Sequence, residues 1–191
     1  MKTAGRIAKW TVIFIIYFLI ALVIFRCCFA AERSTLSDIT PTDALRAAYR
    51  ADPSLELQTH KIVAEIAQDG YMSCYALVYI PSIRQLQLTV RYNDSVYGYN
   101  SLPEGMEFSF TLTDSDSGSA LPALVAASEE KLMYNYRRLV FTDVSITETN
   151  DLVLTMWAED EAISTDTIHY ADQNVVIEPY RLSRAEKKLL A

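Results

Sequence analysis

The sequence predicts a mainly β protein: an antiparallel β-sandwich preceded by one transmembrane helix and a short linker helix. Three observations carry this. An uninterrupted apolar run from Trp10 to Phe25 follows a basic N-terminal stretch. Beyond it, apolar residues recur at every second position in seven or so short runs. Turn-forming residues separate those runs, with no βαβ rhythm between them.

Composition narrows the function classes. The chain has 191 residues, enough for one domain with an appendage. With 51% hydrophobic and 21% charged residues it is not a disordered composition. Acidic residues outnumber basic ones by 24 to 17, the wrong sign for neutralising phosphates, so no nucleic-acid partner is expected. Three cysteines do not make a disulfide scaffold, and two histidines leave little for zinc. No Gly-x-Gly-x-x-Gly or P-loop occurs among only five glycines. No cofactor is expected.

The charges are unevenly spread. Residues 1–33 hold Lys2, Arg6, Lys9, Arg26 and Arg33 against Glu32 alone, and the remainder carries a net −11. The apolar core of 16 residues becomes 22 when counted from Trp10 to Ala31, and a bilayer needs about 20. Trp10 suits one interface, and Arg26 can snorkel to the other. The positive-inside rule then puts residues 1–9 in the cytoplasm as a basic tail, with the rest of the chain extracytoplasmic. Residues 10–31 are a signal anchor in contact with the lipid bilayer. A cleavable signal peptide is the rival, with Cys28-Phe29-Ala30 preceding Ala31. Both readings place the C-terminal part outside. Cys27 and Cys28 read as small apolar helix residues, with an intermolecular disulfide or acylation as the functional alternative.

Residues 32–54 form a linker with a short helix. Thr40 is the expected cap, Pro41 the first helical residue, and Asp52-Pro53 the stop. Residues 55–182 form the sandwich. His60, Ile62, Ala64 and Ile66 mark one strand, and Tyr71 to Ile80, apolar on both faces, marks a central one. Leu86, Leu88, Val90 and Tyr92 alternate with Gln85, Gln87, Thr89 and Arg91; Met106, Phe108, Phe110 and Leu112 alternate likewise. Each of these two predicts one buried and one wet face. Leu139 and Phe141, then Leu152, Leu154 and Met156, suggest two more strands. Ile168 and Tyr170, then Val175 to Ile177, suggest a last pair joined near Asp172-Gln173-Asn174. The stretch from Ser119 to Lys131 reads as a short helix or a crossover loop. Ser183-Arg184-Ala185-Glu186 is a capping-box pattern, opening a helix over residues 183–191. An Ig-like arrangement fits best, although the outer domain has only Cys74 and so lacks the inter-sheet disulfide.

The segments QLQLTVRYN, EGMEFSFTLTDSDSG and LMYNYRRLVFTDVSI together resemble the ectodomains of uncharacterised single-pass membrane proteins of Gram-positive bacteria. The resemblance implies a β-sandwich behind a signal anchor and carries over no functional residues.

Candidate chemistry is sparse. Asp116-Ser117-Gly118 matches the aspartic-protease turn, and a carboxylate-based hydrolase is the alternative function it offers. That chemistry needs two aspartates sharing a proton, hence two copies; a hairpin turn explains the same residues. Asp114 and Asp116 hint at a metal, but an EF-hand loop fails at Gly118, Ser119 and Val125. Glu159-Asp160-Glu161 with Asp166 offers further oxygens, or a solvated loop. His60 and His169 read as strand residues. Asn93-Asp94-Ser95 has the form of a glycosylation sequon. Tyr92, Tyr97, Tyr99, Tyr134 and Tyr136 are candidate ligand-binding residues, because tyrosine offers flat apolar area with a polar tip; sheet packing is the other reading. The expectation is a membrane-anchored binding or assembly module with an envelope protein or a glycan as partner. A subunit paired through its membrane helix is a further possibility.

Overall fold

The computed structural model describes residues 2–28, 39–62, 72–92, 108–131, 134–147, 150–170 and 175–191. It is mainly β and built from antiparallel sheets. The strands are β1 (Gln58–Ile62), β2 (Met72–Ile80), β3 (Gln85–Tyr92), β4 (Ser109–Asp114), β5 (Ala120–Pro122), β6 (Leu124–Glu130), β7 (Asn135–Phe141), β8 (Asp151–Ala158), β9 (Glu161–His169) and β10 (Val175–Pro179). A six-stranded sheet has the order β10-β1-β2-β3-β7-β6, and a four-stranded sheet has the order β5-β4-β8-β9. Helices α1 (Lys2–Cys28), α2 (Asp43–Ala51) and α3 (Arg184–Leu190) complete the described elements, with a 3-10 turn at Pro81–Ile83.

The alternation in the sequence fixes what lies between the sheets. Leu86, Leu88 and Val90 of β3 and Leu139 and Phe141 of β7 meet Phe110 and Leu112 of β4 and Leu152, Leu154 and Met156 of β8 in one buried cluster. A one-residue slip in any strand would turn its set outward, so burial enforces the register.

A second cluster lies on the opposite face of the six-stranded sheet. Leu45 of α2 and Leu190 of α3 pack there with Ile39 and Leu57 on Val78 and Ile80. Here the expected wet face of β3 is corrected: Gln85, Gln87 and Thr89 are all buried. The reason is that the chain after residue 38 runs across them. The Gln87 amide accepts from Thr40 N–H at 2.8 Å and donates to Thr40 C=O at 2.9 Å, while Gln85 Oε1 accepts from Thr42 Oγ1 at 3.1 Å. Buried amides satisfied this way cost little.

Three local expectations change. Thr42, not Thr40, caps α2, its Oγ1 accepting from Leu45 N–H; the Thr40 backbone is engaged by Gln87 instead. The stretch from Ser119 to Lys131 holds β5 and β6, because Leu124 and Val125 find partners in Val140 and Leu139 of β7. And β10 does not pair with β9: it crosses to the other sheet and pairs with β1, Ile177 opposite His60. Ala64, Ile66, Met106 and the turn at residues 172–174 lie outside the described residues. The capping box is as expected, with Glu186 N–H donating to Ser183 Oγ and Ser183 N–H to Glu186 Oε2.

Among the described residues no helix is long and apolar enough to cross a membrane. Apart from the half-buried Ile13, the large apolar side chains from Trp10 to Phe25 in α1 are exposed, from Ile15 at 49% to Phe14 at 70%.

Candidate functional site

Strand connections divide the domain into two ends. At one end the β2–β3 turn, the β4–β5 hairpin and the β7–β8 connection surround a cavity of about 300 Å³. Leu112, Leu121 and Leu152 give it an apolar floor; Arg84, Asp114 and Asp143 bring charge to its rim. Arg84 and Asp143 both have left-handed backbones, φ 51° and 62°, a conformation that costs a non-glycine residue about 1–2 kcal/mol. Each holds the other: Arg84 Nη2 donates to Asp143 C=O at 2.9 Å, and Val144 N–H donates to Arg84 C=O at 2.9 Å.

Asp114 and Asp116 sit in the hairpin beside this cavity. Asp114 Oδ1 accepts from Asp116 N–H at 3.0 Å, and Ser117 Oγ donates to Oδ2 at 3.2 Å. The Asp116 N–H, helped by Asn150 and Ser117, holds the Asp114 carboxyl below the usual aspartate value. Gly118 takes φ 66° with open space where a Cβ would stand, and its N–H returns to Asp114 C=O at 2.8 Å. These are the bonds of a tight turn, and they leave Asp116 exposed. Among the described residues no group of three His, Cys, Asp or Glu side chains is placed to hold a metal ion. Glu159, Asp160 and Glu161 form the exposed β8–β9 turn. Asp166 lies about 16 Å along β9 from Glu161 by strand rise, and its carboxylate accepts Cys74 N–H. The structure does not bring these four together.

The candidate tyrosines mark the other end. Tyr92 is 1% exposed and packs edge-on against Phe108, with ring centroids 5.5 Å apart. Its ring belongs to the core, with the Arg137 guanidinium 5.8 Å from its centroid. Tyr136 is buried on the far face of β7. Tyr134 is half-buried, and Arg91 stacks on it at 4.8 Å. Tyr97 and Tyr99 lie outside the described residues, as does Asn93. Cys74 is buried; Cys28 is half-buried at the end of α1.

The histidines have partners that sequence spacing does not reveal. His60 is 2% exposed among Tyr79, Tyr170 and Gln58, with Nδ1 2.7 Å from Tyr170 Oη. Burial lowers its pKa to about 4. His169 Nδ1 lies 2.9 Å from Asp151 Oδ2, because β8 and β9 place the two residues directly opposite.

The outer face of the four-stranded sheet has a different character. Thr111, Thr155 and Thr165 stand in one row across β4, β8 and β9, and Thr113, Val153 and Thr167 stand in the next. At the end of this face Trp157 reaches diagonally, its Nε1–H donating to Thr111 Oγ1 at 2.8 Å. No signal within β8 alone marks this arrangement; it needs the register of β4 against β8.

No family model matches the chain, and no curated protein or solved structure matches it.

Proposed function

We propose that the chain is a single-pass membrane protein whose extracytoplasmic domain, an Ig-like β-sandwich, acts as a binding or assembly module. The observation that carries the reading is α1. A helix apolar on every side is stable only when buried in protein or lipid, and the large side chains from Trp10 to Phe25, Ile13 apart, stand exposed. In sequence the apolar character continues to Ala31, and Lys2, Arg6 and Lys9 precede it; this charge order favours a cytoplasmic N-terminus.

The strand order supports the sandwich. The set β2-β3-β7-β6 faces β5-β4-β8-β9, antiparallel throughout. That is the A-B-E-D against C′-C-F-G order of an Ig-like fold, with β1 and β10 added beyond the first strand. A shared core spans both sheets. The domain departs from antibody domains in having no inter-sheet disulfide.

The domain is tied to whatever precedes it. Ile39 N–H donates to Glu186 Oε1 at 3.1 Å, and Tyr180 Oη donates to the same oxygen. Burial pushes the Glu186 carboxyl up, but the hydrogen bonds from Tyr180, Ser183 and Ile39 outweigh it and hold it lowered. The contacts of Ile39 and Thr40 fix where the chain from the membrane enters the domain, as suits a module presented at a set orientation.

Carbonate extraction of membranes tests the anchor. The full chain is expected to stay in the pellet. A variant with Ile15, Phe18, Leu22 and Phe25 replaced by serine is expected to move to the supernatant with its β-domain folded. Release of the unaltered chain by carbonate would contradict the reading.

A further inference from the structure

We infer that the outer edge of β10 is where a second copy of this chain joins the six-stranded sheet, antiparallel strand against strand about a two-fold axis. This deepens the assembly reading of the proposed function and rests on its membrane anchor. Among the described residues β10 has a ladder partner on one side only, β1. It is exposed on both faces, with Val176 at 44% and Ile177 at 49%. Ile177 stands opposite His60, and His60 opposite Leu77 of the inter-sheet core. Ile177 thus shares the inner face, yet the four-stranded sheet ends at β9, which packs beneath β2. β10 overhangs the core and leaves apolar surface in water.

The backbone sets how a strand joins it. Tyr180 N–H donates to Leu57 C=O at 2.8 Å, so these two form a hydrogen-bonded antiparallel pair. The alternation that follows turns the N–H and C=O groups of Val176 and Glu178 to β1, and those of Val175 and Ile177 outward with Pro179 C=O. Pro179 has no N–H to offer, and an edge is where a sheet tolerates that. With the two-fold at Ile177, each Ile177 exchanges both of its hydrogen bonds with its counterpart. Each Val175 N–H then meets Pro179 C=O of the second copy. The edge is self-complementary, and Pro179 ends the ladder.

Three observations favour a second copy over a foreign strand. The first is charge. The chain beyond residue 33 carries a net −11, so copies repel except where charge is neutralised. Glu178, the one charged residue of β10, is paired with Lys61. In this register it faces the second copy's Val176 rather than another carboxylate. The second is symmetry. An antiparallel join places the two-fold perpendicular to the sheet, so the outer faces of both six-stranded sheets stay on one side. The chain from α1 enters on that face, where Gln87 and Gln85 hold Thr40 and Thr42. Both anchors therefore reach the same membrane, and confinement there raises the effective concentration for a short ladder. The third is closure. The opposite edge, β6, carries a bulge between Val125 and Ala127 and the charges of Glu129 and Glu130, devices that discourage pairing. Assembly stops at two copies.

The test uses the full chain in membranes, with Cys27→Ala and Cys28→Ala. In that background Ile177→Cys brings two thiols together at the two-fold, on Cα atoms about 5.5 Å apart and within disulfide reach. Mild oxidation is expected to give a cross-linked dimer. Val125→Cys, similarly exposed on β6, is expected to stay monomeric. Energy transfer between donor- and acceptor-tagged copies reads association without oxidant. Ile177→Lys is expected to weaken it about tenfold or more with the melting temperature nearly unchanged, and Ile177→Val is expected to leave it intact. Absence of energy transfer overturns the inference, as does equal cross-linking through Val125→Cys. Association that survives Ile177→Lys also overturns it, because the copies would then join through α1 or another face. A monomeric chain that stays with the membrane in carbonate overturns this inference alone. A chain that carbonate releases but that still cross-links through Ile177→Cys upholds the edge and overturns the anchor.

Discussion

Replacing Arg138 by alanine is expected to lower folding stability by about 3 kcal/mol, a large fraction of what holds a domain of this size. Arg138 is 0% exposed on β7, opposite Thr89 of β3. Its Nη1 donates to Ala76 C=O at 2.9 Å and to Thr89 Oγ1 at 3.1 Å. Ala76 has φ 52°, inside the stretch where β2 slips register against β3, between Tyr75 and Val78. The guanidinium thus braces a bulge whose backbone is strained for alanine. Truncation leaves two buried acceptors short of a donor and opens a void beneath them. Lysine, a point charge rather than a planar fork, is expected to recover only part of the loss. Chemical denaturation reads both variants, and native-state amide exchange should show the segment around Ala76 opening more often. A loss under about 0.5 kcal/mol in Arg138→Ala would show that the bulge does not depend on this side chain.

Acidification between pH 6.5 and 4 is expected to remove about 3 kcal/mol through His60 alone. The folded-state pKa is about 4, against 6.5 for the free side chain. Above pH 6.5 both states hold the ring neutral, and His60 contributes no slope. Between 6.5 and 4 the unfolded chain takes up a proton that the folded chain refuses, so stability falls as pH falls. Below 4 both states are charged and the slope ends. The groups that face the ring are Tyr79, Tyr170 and Gln58; burial raises both tyrosines, so none supplies a counter-charge in this window. The contributions of Glu186 and Asp114, whose carboxyls are lowered, are lost only as pH falls below their ordinary values of 4.5 and 3.8, at and beyond the acid end of this window. His60→Phe should flatten the pH 6.5 to 4.5 part of the stability curve, although it also loses the Tyr170 contact at every pH. An unchanged slope in that variant would place the acid sensitivity elsewhere.

What the sequence made legible follows from how local each signal is. Period-two alternation marks a strand's inner face without knowledge of its partners, so Phe110, Leu112, Leu152, Leu154 and Met156 were identifiable as core. The capping box at Ser183 spans four residues and survives any tertiary context. The same alternation carried a warning about Tyr92: it lies in phase with Leu86, Leu88 and Val90, and the core claims it for the same reason. The wet face expected for β3 went wrong because alternation cannot distinguish water from another segment of backbone. Gln85 and Gln87 are polar because Thr40 and Thr42 need partners there.

Contacts that depend on register were out of reach. His169 finds Asp151 and Trp157 finds Thr111 only once β9, β8 and β4 are aligned. Neither pair has a spacing that sequence reading recognises. The β10 pairing is similar. A short turn near residues 172–174 favoured a hairpin with β9, whereas the structure sends the strand to β1, where Lys61 and Glu178 form an ion pair across the two strands.

The central claim is an outward-facing domain on a membrane anchor, and protease access from each side of the membrane tests it most directly. In protoplasts with intact membranes, protease added outside is expected to digest the β-domain and leave a small fragment held in the membrane. In inside-out vesicles the domain should remain whole, with only the basic N-terminal tail trimmed. A domain protected in protoplasts and digested in inverted vesicles would contradict the account.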